Sequence, residues 1–187
     1  MASSVKLGIF RAATETAVRD AVTLGLQHLN YTLNRNDGGS VYIKANRRFV
    51  AVRIGSLRLD AFDLFAQFPV ELRRCWMYLR TNEDIAWGYR MFAGDREVDR
   101  FSTRPQEMEG DWHGRPQLVS ELFQVSVGKI GKYYVNWDSV DEPSQPRAYW
   151  FDRATYFDSY QIYDFVRRLS GMKFRSNDRG IEFGAVV

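Results

Sequence analysis

The residues of this 187-residue chain best suited to chemistry lie between positions 83 and 113. Gly110-Asp111-Trp112-His113-Gly114 sets an acid, an indole and an imidazole in a glycine-flanked loop. Such a loop can present His113 as a general base with Asp111 orienting it. Asp95, Glu97 and Asp99 recur at every second position on a hairpin, with Glu83 and Asp84 in the adjoining turn. Acids gathered at one end of a sheet can hold a cation or act as a carboxylate pair. Against this stand simpler roles: Asp95 forms the turn, its alternate neighbours face water, and no nucleophile stands beside His113. Two histidines and one cysteine are too few ligands for a structural zinc site. The chain carries no phosphate-binding glycine loop, no Gly-x-Ser-x-Gly elbow and no dinucleotide fingerprint. No metal or cofactor is expected.

Three arginine pairs, Arg47-Arg48, Arg73-Arg74 and Arg167-Arg168, are candidates for phosphate contacts. Of 26 cations, 21 are arginines and only five are lysines, a skew that coding bias also produces. The 26 cations face 23 acids, which makes a balanced surface rather than a polyelectrolyte, so nucleic acid is a weak expectation. His28 lies off the apolar stripe of its helix and reads as a surface residue. Cys75, inside Cys75-Trp76-Met77-Tyr78-Leu79, reads as a buried, inert thiol.

The elements that would position these groups follow from periodicity and turn chemistry. Val5 to Phe10 is a strand candidate, and Thr14 or Thr16 can cap a helix on which Val18, Val22, Leu26, Leu29 and Leu33 form one stripe. The turn chemistry of residues 34–39 ends it. Val41 to Ala45 and Phe49 to Ile54 form a hairpin around Asn46-Arg47-Arg48, and Asp60 caps a second helix. Cys75 to Arg80, Ile85 to Phe92 and Glu97 to Phe101 make a meander, on which Trp87 and Tyr89 share a face expected to meet the first helix.

Past the loop from Ser102 to Pro116, the pattern predicts a helix opened by Pro116 and a strand from Lys132 to Trp137. A last helix starts near Asp158 or Ser159 and ends at Gly171, with Arg167 and Arg168 against its carbonyl end. The class is α+β: a mostly antiparallel sheet with helices packed on one face, compatible with a ferredoxin-like β-α-β-β-α-β core with added strands and a C-terminal helix. The loop divides a sheet domain, 1–104, from a helix-strand-helix extension packed on it, 105–187; one single domain is the other reading. With 45% hydrophobic residues the chain can bury a core without a disulfide or metal staple. It shows no signal peptide and no run of about 18 apolar residues, so a cytoplasmic location and no membrane partner are expected.

Two stretches resemble uncharacterised bacterial proteins. One runs from Tyr89 through Gly94 and Val98-Asp99 to Pro105 and Gly114-Arg115-Pro116; the other is Tyr160-Gln161-Ile162-Tyr163-Asp164-Phe165-Val166-Arg167-Arg168-Leu169. The aromatic residue usual after the loop proline is replaced by Gln106-Glu107. The resemblance implies a shared fold and no activity. The leading expectation is a non-catalytic intracellular protein, immunity-like or regulatory, whose partner is another protein. Its candidate binding residues are Trp112, Arg73, Arg74, Arg47 and Arg48, because Tyr, Trp and Arg carry most binding energy at interfaces. The alternatives are a hydrolase or transferase using His113 and Asp111, and a weak nucleic-acid binder through the arginine pairs. Oligomeric state has no signal in the sequence.

Overall fold

The computed structural model describes residues 5–33, 39–55, 59–82, 86–139, 147–155, 158, 160–174 and 181–185. Along the chain run β1 (Lys6–Arg11), α1 (Glu15–His28), β2 (Tyr31–Leu33), β3 (Gly39–Ala45), β4 (Phe49–Gly55), α2 (Ala61–Ala66), β5 (Trp76–Asn82), β6 (Ala86–Ala93) and β7 (Arg96–Ser102). After these come α3 (Pro116–Phe123), α4 (Val127–Ile130), α5 (Gln161–Ser170) and β8 (Ile181–Ala185). The strands form one antiparallel sheet in the order β2-β8-β3-β4-β1-β5-β6-β7. Its centre, β3-β4-β1-β5 with α1 and α2 as crossovers, has the ferredoxin-like order in which each βαβ unit leaves room for a strand of the other.

The local signals act as their chemistry requires. The Thr14 hydroxyl accepts from the Ala17 amide at 3.2 Å and caps α1, and Asp60 accepts from Phe62 N at 2.8 Å and caps α2. Gly25 lets the two helices meet, since a Cβ there would lie 2.7 Å from a Leu64 methyl. Val18, Val22 and Leu26 are buried against Val50, Val52 and Ile54, with Leu29 partly buried beside them.

Helices cover both faces rather than one. The α1 and α2 side holds Phe10, Val50, Val52, Trp76 and Phe92; the opposite side packs α3, α4 and α5 on Leu7, Ile9, Met77, Leu79 and Met91. Trp87 and Tyr89 belong to this second face and pack on Phe165 of α5, Trp87 tilted and Tyr89 stacked, so the expectation that they meet α1 is corrected. The reason is strand alternation: β6 sends odd and even residues to opposite sides, and Trp87 and Tyr89 take the side that α5 covers. The expected strand from Lys132 to Trp137 is instead a 3₁₀ turn at Gly131–Tyr133, an extended link and a second 3₁₀ turn from Trp137. Tyr133 and Trp137 anchor it by burial without any ladder partner among the described residues. The expected loop after Ser102 contains a 3₁₀ turn at Pro105–Glu107 and returns to β7, where His113 bridges Phe101. The last helix, α5, has Tyr160 as its N-cap residue with no side-chain cap, in place of the expected Asp158 or Ser159; Asp158 accepts from the Tyr160 amide at 2.9 Å in the turn before it, and Ser159 lies outside the described residues. Residues beyond 104 supply α3 to α5 and also strand β8, so one sheet draws strands from both sides of that position.

Candidate functional site

On the α1 and α2 side the helices stop short of β6 and β7, and the uncovered strands floor a cleft of about 270 Å³. Phe62 from α2, Tyr78 from β5 and Trp112 from the loop after β7 supply aromatic walls; Arg80, Arg90 and Arg100 supply three guanidinium groups. Glu97 accepts from Arg90 Nε at 2.7 Å and pairs more loosely with Arg100 at 3.7 Å. Arg90 lies 4.6 Å from the Phe62 ring centre and Arg100 5.3 Å from that of Trp112. Burial pushes the Tyr78 hydroxyl up to about 12, with Asp60 adding to the effect, so it stays a neutral donor at ordinary pH.

Around the corner, on the outer edge of β7, a broader depression brings together Glu97, Asp99, Asp111 and Arg115. The Asp99 carboxylate is buried and saturated: it accepts from Tyr89 Oη at 2.7 Å and from Arg115 N and Nε at 3.0 and 3.2 Å. Burial first, then Tyr134 and Asp99, holds the Tyr89 hydroxyl protonated. Asp111 accepts from the His113 backbone amide at 3.1 Å, so it shapes the turn, and the exposed His113 ring does not line the depression. Asp95 pairs with Arg73 across the hairpin turn. Glu83 and Asp84 lie outside the described residues. Asp95, Glu97 and Asp99 therefore serve as partners for arginine or tyrosine, an arrangement that holds a hairpin and a loop together.

Most of the arginine pairs have structural partners. Arg48 donates to the Phe123 and Gln124 carbonyls at 3.1 and 2.8 Å and so receives the C-terminus of α3, while Arg73 also donates to Phe68 O at 2.7 Å. Arg47 and Arg74 are exposed. Arg167 and Arg168 do more than complement the end of α5: both turn into a buried ionic knot on Asp152. The thiol of Cys75 is buried and pushed up to about 11 by that burial, which leaves it protonated and unreactive at neutral pH.

That knot holds the segment Ala148-Tyr149-Trp150-Phe151-Asp152 against α5. Asp164 of α5 accepts from the Arg153 and Ala154 amides at 2.8 and 2.9 Å, and the Arg168 guanidinium lies 3.7 and 4.0 Å from the ring centres of Tyr149 and Phe151. Trp150, at the tip, is 85% exposed, and Phe151 beside it 48%. The rings pack edge to face at 5.2 Å. Sequence reasoning passed over this segment, although three consecutive aromatic residues in a loop were a usable signal. It also passed over Arg80, Arg90 and Arg100, which come together only through strand register.

No family model, curated protein or solved structure matches the chain. Among the described residues no group of three or more His, Cys, Asp or Glu is placed to share a metal ion, and no helix is long and apolar enough to cross a membrane.

Proposed function

We propose that this chain is a non-catalytic intracellular protein that works by binding another protein, in the manner of an immunity or regulatory module, with Trp150 and Phe151 as its anchors. The observation that carries the reading is a tryptophan 85% exposed on a backbone pinned from below by a fully buried carboxylate. Displaying an indole to water adds nothing to the fold; burying it against a partner removes a large apolar area, and Asp152 already ties down the backbone beneath it. The cationic rim of Arg167 and Arg168 is neutralised by Asp152 and Asp164, so the tip offers apolar area rather than charge. That favours a protein with an apolar recess over a polyanion.

The test is affinity capture from native lysate with the wild-type chain, Trp150→Ala and, as a control at another exposed apolar position, Val70→Ala. A stoichiometric protein should be held by wild type and by Val70→Ala and lost by Trp150→Ala, a hot-spot truncation costing about 2 kcal/mol or more, roughly 30-fold in affinity. Absence of a stoichiometric partner, or a partner held equally by Trp150→Ala, would remove the reading.

A further inference from the structure

We infer that the cleft over β6 and β7 binds a small flat anion, an aromatic ring carrying one carboxylate or phosphate group. Strand register makes the place. Gly88 is paired with Arg80 on β5 and Ser102 on β7, and the next row on the same face is Tyr78, Arg90 and Arg100. Directly opposite partners lie about 5 Å apart and diagonal ones about 7–8 Å, so a position without a side chain is ringed by two hydroxyls and three guanidinium groups. The hollow cannot be filled from within, because a Cβ on Gly88 would lie 2.4 Å from the Phe101 carbonyl oxygen.

Charge fixes the sign of the ligand. The acids of the lining, Asp60 and Glu97, are committed: Asp60 caps α2, and Glu97 is gripped by Arg90 and Arg100. The Arg80 side chain is exposed and makes no hydrogen bond or ion pair with any described residue, which leaves its planar fork for a carboxylate or phosphate. Flatness follows from the stacking already present. Arg90 already lies over two rings, Phe62 and Phe92, whereas the Arg100 plane rests on Trp112 alone, and such a plane offers its other face to an incoming aromatic group. The volume, about 270 Å³, sits just under the roughly 300–1,000 Å³ typical of ligand pockets, enough for one substituted ring and too little for a dinucleotide.

Calorimetric titration of the full chain with phenyl phosphate, benzoate, inorganic phosphate and benzamide tests this. Phenyl phosphate or benzoate should bind saturably at one site, about tenfold or more tighter than inorganic phosphate and benzamide, and the tighter of the two names the anionic group. Arg80→Ala should weaken that binding about tenfold or more, the loss expected for a charge-assisted hydrogen bond. Trp112→Ala, which removes a wall on another element, should weaken it independently, while Trp150→Ala should bind the probes as wild type does. Matching thermal melts establish that the variants are folded. The inference fails if neither ring anion binds, if inorganic phosphate binds as tightly as phenyl phosphate, or if a folded Arg80→Ala retains wild-type affinity.

Discussion

Asp152 and Arg168 form a buried pair in which one carboxylate oxygen accepts from Nε at 3.0 Å and from a terminal guanidinium nitrogen at 2.7 Å. The other oxygen accepts from Tyr133 Oη at 2.7 Å and from the Tyr149 amide at 3.2 Å. Side-chain exposure is 0% for the acid and 8% for the arginine, so neither can be rescued by water when its partner goes. Asp152→Ala should destabilise the fold by about 3–5 kcal/mol, because removing one member of a buried pair leaves an uncompensated charge. Urea unfolding checks it. A variant within about 0.5 kcal/mol of wild type, the range of ordinary surface substitutions, would show that the knot is solvated and the aromatic tip unpinned.

Leu26→Ala and His113→Ala separate core from loop. Leu26 is fully buried between α1 and the sheet, and its truncation should cost roughly 2–5 kcal/mol through lost burial and a residual cavity. His113 is exposed, and its ring should contribute within about 0.5 kcal/mol. Thermal melts in which His113→Ala was the more damaging change would reopen the general-base reading.

Glycine substitutions should differ by position in the sheet. On Gly88 a methyl would meet backbone, 2.4 Å from Phe101 O and 3.3 Å from Ser102 Cα, with no rotamer to relieve it. Gly88→Ala should therefore spread β6 from β7 and cost about 1–3 kcal/mol or more. At Gly55 the nearest atom to a new Cβ is the Ser40 carbonyl at 3.6 Å, an ordinary contact, so Gly55→Ala should be much milder. Equal unfolding midpoints for the two variants would contradict the tight β6–β7 approach.

Stability should fall at alkaline pH. Burial pushes the Cys75 thiol up to about 11, partly offset by Arg11, and the Tyr78 hydroxyl up to about 12. In the unfolded chain these groups ionise near roughly 8.5 and 10. The unfolded state thus releases its protons first, and stability that is complete below the unfolded values is lost as pH rises toward the folded ones. Urea midpoints should decline from about pH 9 to 11, and Cys75→Ala should flatten the first part of that decline. Midpoints that held steady or rose across this interval would refute the burial of both groups.

Local pattern alone determined a good deal of this protein. The stripe through Val18, Val22 and Leu26, the caps at Thr14 and Asp60, the Asn46-Arg47-Arg48 turn and the stop at Gly171 are readable because each depends on residues within a turn or two of one another. The unbroken apolar run Phe49-Val50-Ala51-Val52 also carries the signature of a strand buried on both faces. Only the tertiary structure decided which face of β6 meets which helix, since alternation fixes that sides differ and not what covers them. The short edge strand β2 and its neighbour β8 lie about 150 residues apart in the chain, and pairing over such a separation leaves no local trace. The candidate sites share that character. Arg80, Gly88 and Ser102 are neighbours through hydrogen-bond register, and Asp152 meets Arg168 across a loop and a helix. Spacing along the chain put His113 and Asp111 forward for chemistry, whereas the fold spends Asp111 on a backbone amide and gathers its guanidinium groups elsewhere.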